Sequence, residues 1–284
     1  MSEIIKILIL AFLGLVFGIF VNAWVWRLSQ KLDKDGNPKK LTSKQKKTLS
    51  IVTARSMCPN CKHTLAAKDL IPVFSWLQLK GKCRYCKAKI SPQYPAVELL
   101  TMVLFVVSGL LLPINTLSEL IFFGSWLVVI TGFVALAVYD IKFQILPDKI
   151  LKVILPFAVI MSAITVAQRE NSLLYSFLQV FLSIFIAGGI FYILYVISNG
   201  KWIGGGDVKL GIVIGLVLPS ALLSILMLFV ASVAGVIASL ISNKGFNKKA
   251  KIPFGPFLII GAYITVLFGS GIIDWYINLL TYGP

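Results

Sequence analysis

The sequence predicts an all-helical polytopic membrane protein with a small metal-binding loop, and three observations carry that expectation. Of the 284 residues 58% are hydrophobic, and mean hydropathy is +0.90, leaving too few polar residues to cover a soluble domain. The apolar residues fall in runs of bilayer-spanning length. All four cysteines sit in one polar interval as two C-x2-C pairs.

About eight spans are expected, at residues 4–26, 94–113, 117–139, 150–167, 173–197, 208–219, 221–242 and 257–281. The first is too long for a signal-peptide core and lacks a small-residue cleavage site, so it reads as a retained helix. The sixth and seventh form one apolar run, divided at Pro219-Ser220. The division leaves the sixth span short.

The formal charge of +16 is concentrated between Arg27 and Lys89 and in short loops. No aromatic-interleaved binding module accompanies it, which argues against nucleic acid as a partner. With the amino terminus outside, the segments 27–93, 140–149, 198–207 and 243–256 face the cytoplasm. Only Lys6 and Arg169 then lie toward the outer side, as the positive-inside tendency requires.

The 27–93 segment divides in two. Residues 30–50 are lysine- and turn-rich with little to bury, and read as a mobile connector. Residues 51–93 hold Cys58, Cys61, Cys83 and Cys86 in the pattern C-x2-C-x21-C-x2-C. Two such knuckles suit tetrahedral Zn²⁺ in a structural role, because four thiolates leave no open coordination position. Disulfides, should the orientation be inverted, and a redox or metal-free role are the alternatives. His63 follows the first knuckle and reads as a surface histidine. This gives two regions, 1–113 with the cysteine loop at 51–93, and 114–284.

Only eleven acidic residues occur in the chain. Asp140, Asp148 and Asp207 stand where apolar helices meet the aqueous side. Ionisable groups in such places are functional candidates by default. Asp148, in "LPD", reads more simply as a helix-start aspartate favoured by the dipole. Asp140 and Asp207, brought together, would form an acid–base dyad in which like charges leave one carboxyl ionised and the other protonated. One could then activate water while the other hydrogen-bonds a peptide carbonyl. The glycines at 204–206 would let an extended peptide lie close to the backbone, although a flexible turn explains them equally well.

Together these stretches resemble the type IV prepilin peptidases, bifunctional leader peptidases and N-methyltransferases of the GxGD membrane aspartyl protease type. The resemblance runs through "GIFVNAWVWRL", "RSMCPNC", "LIPVFSWLQLKGKCRYCKAKISPQYPAVELLT", "YDIKFQILPD", "GGGDVKL" and "KIPFGPFL". It implies a bacterial inner-membrane enzyme with Asp140 and Asp207 as catalytic residues. Gly204, Gly205, Gly206, Lys209 and Gly255 would bind substrate or support the site. The implied reaction is cleavage of prepilins and pseudopilins after the glycine that ends a basic leader, on the cytoplasmic side.

The resemblance further implies methylation of the new amino terminus with S-adenosylmethionine, associated with residues 1–113 and with Gly81, Lys82 and Glu98. Asn22 could be an interhelical hydrogen bond or a site residue. Two departures stand out: Ser29 where the family has proline after Arg-Leu, and the lysine-rich connector, for which anionic lipid headgroups are the expected partner. A transporter or channel, or a zinc-organised scaffold without chemistry, are the rival readings.

Overall fold

The computed structural model describes residues 3–33, 37–51, 53–241 and 253–283. Two compact units result, Met1–Leu111 and Leu112–Pro284.

In the first unit α1 (Glu3–Lys31) packs against α4 (Gln93–Leu111). Two glycines one helical turn apart make the contact. A Cβ on Gly14 would lie 2.5 Å from the Met102 Cα, and one on Gly18 2.5 Å from the Glu98 Cα. Small residues at i and i+4 let membrane helices approach to backbone contact, where dispersion and weak polar contacts replace the missing hydrophobic drive. Asn22, buried on the same helix, donates through Nδ2 to the Tyr94 carbonyl at 2.9 Å, the interhelical bond that was one of the two roles open to it.

Between these helices lie α2 (Ser43–Thr48), a 3-10 turn at Ala67–Leu70 and α3 (Phe74–Gln78). Part of the expected connector is helical. Thr42 and Gln45 form a reciprocal capping box that starts α2. The buried Arg27 guanidinium donates to the carbonyls of Ser50, Ile51 and Ala54 at 2.7, 3.1 and 2.8 Å, fastening the chain after α2 to the end of α1. Residues 34–36 of the connector, and 243–252 of the expected 243–256 loop, lie outside the described residues.

The second unit comprises α5 (Leu117–Phe143), α6 (Asp148–Ala167), α7 (Leu173–Ile184), a π-helical turn at Phe185–Gly189, α8 (Ile190–Ile197), α9 (Gly205–Val217), α10 (Ala221–Ile241) and α11 (Gly255–Tyr282). The α7, π and α8 segments form one continuous span. Trp126, Phe133, Leu136 and Tyr139 make α5 the most enclosed of the membrane-length helices.

Among the described residues seven helical spans have membrane-crossing length, not eight. The break at Pro219-Ser220 is present, but α9 has only 13 residues, about 20 Å of helix. It is held from the side. Cβ atoms on Gly211 and Gly215 would meet Ala187 O at 2.0 Å and Ile184 Cα at 2.6 Å, so α9 runs against bare backbone at the π turn. Ser183 donates to the Gly215 carbonyl at 2.9 Å and lies 2.6 Å from the Ser224 hydroxyl, satisfying polar groups freed where α9 breaks.

Candidate active site and metal centre

The thiolate loop is built from two copies of one turn. In the first, Cys58 N–H donates to His63 O at 2.9 Å and Lys62 N–H to Cys58 O at 3.0 Å; in the second, Cys83 N–H donates to Ala88 O at 2.8 Å and Lys87 N–H to Cys83 O at 3.0 Å. Lys62 and Lys87 take matching left-handed conformations, φ 59° and 60°. The turns bring all four sulfurs within 4.8 Å of one another, with Cys58 and Cys86 Sγ 3.9 Å apart.

Four thiolates around a tetrahedral ion at the usual Zn–S bond length stand about 3.8 Å apart. The donor set therefore fits a metal ion. Cys86 is already biased toward the thiolate: the Ala88 N–H and then the Asn60 amide hydrogen-bond its sulfur and pull its pKa down to about 6. His63 is exposed and stacks on Tyr85 at 3.7 Å instead of joining the cluster.

Asp69, which no sequence motif marked, braces the second knuckle. Its carboxylate accepts from Arg84 Nε at 2.6 Å, Tyr85 Oη at 2.9 Å and the Ala66 N–H at 3.1 Å. Burial pushes its pKa up, but these bonds outweigh that and leave it below the ordinary carboxylate value.

Of the residues the resemblance linked to methylation, Gly81 has a structural reason of its own. It adopts φ +67°, and a Cβ there would press on the Trp76 ring at 3.0 Å. Lys82 is exposed. Glu98 is buried and accepts from the Val73 N–H at 2.7 Å, holding a β-branched residue at φ 59°, a conformation such residues rarely adopt.

In the second unit Asp140 and Asp207 come together although 66 residues of chain separate them. Asp140 is 5% exposed in the last turns of α5. Asp207 is partly buried in the first turn of α9, close enough for its charge to bear on Asp140. The Gly204 N–H faces the Asp207 carboxylate, as a helix-start residue reaches back to its cap. The Gly255 N–H, at the start of α11, faces Asp140. Among the described residues Oδ2 of Asp140 nevertheless has no hydrogen-bond partner.

Glycine at 255 is required for that oxygen to stand where it does, since a Cβ there would lie 2.6 Å from it. At Gly206 a Cβ would lie 2.8 Å from the Leu146 Cβ. Gly204 and Gly205 have room for a side chain. Lys209 does not reach the carboxylate pair; it bonds both oxygens of Asp148 at 2.7 and 2.9 Å. Asp148 is the first residue of α6, the helix-start position expected of it.

Two carboxyls at helix ends, one of them beside a glycine amide, among membrane-length helices, suit a polytopic membrane enzyme, and the first unit carries a metal-capable loop. Residues 12–112 match the bacterial peptidase A24 N-terminal domain, and residues 127–240 match the type IV leader peptidase family. The chain is 35% identical over 233 residues to a prepilin leader peptidase/N-methyltransferase of Bacillus subtilis, covering 81% of this chain and 88% of the relative. It is 32% identical over 269 residues to a type 4 prepilin-like proteins leader peptide-processing enzyme of Escherichia coli, covering 89% and 90%. A prepilin leader peptidase/N-methyltransferase of Aeromonas salmonicida is 29% identical over 278 residues, covering 94% and 92%. No solved structure matches. The chain belongs to the type IV leader peptidase family. Neither a transporter nor a scaffold without chemistry is favoured.

Proposed function

We propose that the chain is a membrane aspartyl endopeptidase that removes the basic leader of type IV prepilins and pseudopilins after a glycine. In this reading Asp140 and Asp207 are the catalytic pair: one takes a proton from the attacking water, the other gives one to the peptide carbonyl. The supporting observation is the convergence of these two carboxyls from α5 and α9, with the Gly255 N–H facing one of them. The exposed Gly204, with no side chain, leaves room for an extended substrate. The amino terminus lies outside and both carboxyls, with the cysteine loop, face the cytoplasm of a bacterial inner membrane, as the distribution of Lys and Arg supports.

The second activity is methylation of the newly exposed amino terminus, for which S-adenosylmethionine supplies the methyl group when bound. Glu98 is the candidate in this chain, being a buried carboxylate next to the cysteine loop in sequence. The four thiolates hold Zn²⁺ that organises the loop and takes no part in the chemistry. Anionic lipid headgroups meet Lys39, Lys40, Lys44, Lys46 and Lys47, all exposed on the segment that precedes the point where Arg27 fastens the chain to α1; each such lysine near a surface adds about 1 kcal/mol of attraction. Neutralising them should weaken co-purification of anionic over zwitterionic lipid, and unchanged lipid selectivity would count against this contact.

The reading is tested on the full chain in lipid nanodiscs with a synthetic prepilin. Asp140→Asn and Asp207→Asn should each lower cleavage by about 10²- to 10⁴-fold, while the mass of pre-cleaved product still reports methylation. Processing that survives both changes rejects the catalytic assignment.

A further inference from the structure

The turn that joins α5 to α6 touches both sides of the proposed active site. Four residues beyond Asp140, Gln144 adopts a left-handed conformation at φ 54° and ends α5. The chain then reverses through Leu146, which is 7% exposed. Its side chain occupies the space where Cβ atoms would stand on two glycines. The Gly206 Cβ would be 2.8 Å from Leu146 Cβ, and the Gly255 Cβ 3.4 Å from Leu146 Cδ2. Gly206 immediately precedes Asp207, and Gly255 faces Asp140. Two residues after Leu146, Asp148 accepts both Lys209 bonds, at 2.7 and 2.9 Å, and Lys209 lies two residues beyond Asp207.

From this geometry we infer that Leu146 and the Asp148–Lys209 pair are positioning residues, a clasp that fixes the start of α9 on the α5–α6 turn and so sets the spacing of the two carboxyls. The inference rests on the catalytic reading of Asp140 and Asp207. Stability is not what the ion pair supplies. Its side chains are 55% and 54% exposed, and pairs so hydrated contribute little to folding. The helices already pack through apolar side chains, with Ile150, Ile154, Leu210 and Ile214 at 0% or close to it. Such packing resists separation but resists a small slide along the helix axis less well. A bidentate contact at the head of α9 and a side chain seated on Gly206 oppose that slide. Lys209 is thereby occupied with Asp148, which argues against its gripping the substrate.

The test measures kcat and KM for prepilin cleavage by the full chain in nanodiscs, with thermal midpoints alongside. A displacement of about 1 Å at a reacting group costs about 100-fold in rate. Asp148→Asn and Lys209→Gln should each lower kcat by about 10-fold or more, with KM and the midpoint little changed. The double variant should be no slower than either single change, because both remove the same contact. The exchange Asp148→Lys with Lys209→Asp should recover much of the lost kcat; if it fails to fold, the cycle of neutral variants decides alone. Unchanged kcat in the single variants overturns the clasp, as do losses that multiply in the double variant. A raised KM for Lys209→Gln alone assigns that lysine to substrate and also overturns it. Asp140→Asn runs in parallel: if it still cleaves, the catalytic reading fails first and the clasp loses its function with it.

Discussion

Replacing Gly255 by alanine isolates the placement of one carboxyl from its chemistry. The new methyl group would stand 2.6 Å from Asp140 Oδ2, against the 3.4 Å at which ordinary contact begins. The carboxyl must therefore retreat by about 0.8 Å, into surroundings where Asp140 is only 5% exposed, or α11 must shift. Displacements near 1 Å at a reacting group cost up to about 100-fold in rate, so kcat should fall by about 10- to 100-fold, or roughly 1.4 to 2.7 kcal/mol of barrier. The fold should tolerate the change. Gly255 opens α11, and alanine is favoured over glycine in helices by up to about 1 kcal/mol, which offsets part of the strain. The measurements are initial rates of prepilin cleavage at saturating substrate and the thermal midpoint of the same sample. A Gly255→Ala protein that cleaves within two-fold of the wild-type rate would refute the idea that Asp140 must stand where it does. A collapse of the midpoint would place the effect in folding instead.

Cys58→Ser should abolish bound zinc, read by metal analysis of the purified protein, and should reduce methylation more than cleavage; equal loss of both would contradict the modular arrangement. Asp69→Asn keeps the shape of the brace but removes its charge, and should weaken zinc affinity by about 10-fold in a chelator competition, as changes next to metal ligands commonly do; an unchanged affinity would mean the Arg84 contact is idle. Gly211→Ala puts a Cβ 2.0 Å from the Ala187 carbonyl oxygen, a backbone atom that cannot step aside. Overpacking of this kind costs about 1 to 3 kcal/mol and should lower the thermal midpoint. An unaltered midpoint would show that α9 is not seated on the π turn as described.

Most of the architecture was legible because hydropathy in a membrane protein is nearly a direct record of its helices. The break at Pro219-Ser220 was also readable, since proline cannot donate to the preceding turn. The shortness of α9 was legible too, since the division already left a span of only 208–219 and the helix has 13 residues. What could not be read was how it is held, because the glycines at 211 and 215 look like ordinary span residues. Asp140 and Asp207 stood out as carboxyls in apolar company, and Asp148 as a helix-start residue. Leu146 and Asp69 did not, one being an unremarkable leucine in a loop and the other an aspartate among polar neighbours. Their importance lies in contacts 60 to 109 residues away for Leu146, and 15 and 16 away for Asp69. No periodicity encodes such distances. The composition of the connector gave no sign of the capped helix α2 within it, nor of the buried arginine of α1 that holds the chain just beyond it through the carbonyls of Ser50, Ile51 and Ala54.

The brevity of α9 bears on what surrounds it. A helix of about 20 Å cannot cross a hydrocarbon layer of about 30 Å alone. It is enclosed by its neighbours instead, with Val208, Leu210, Val213, Ile214 and Val217 buried. Backbone that stops being helical at membrane depth is tolerated where protein or a water-filled cavity surrounds it. On the proposed reading, the Gly204 end of α9 is where water would reach Asp207.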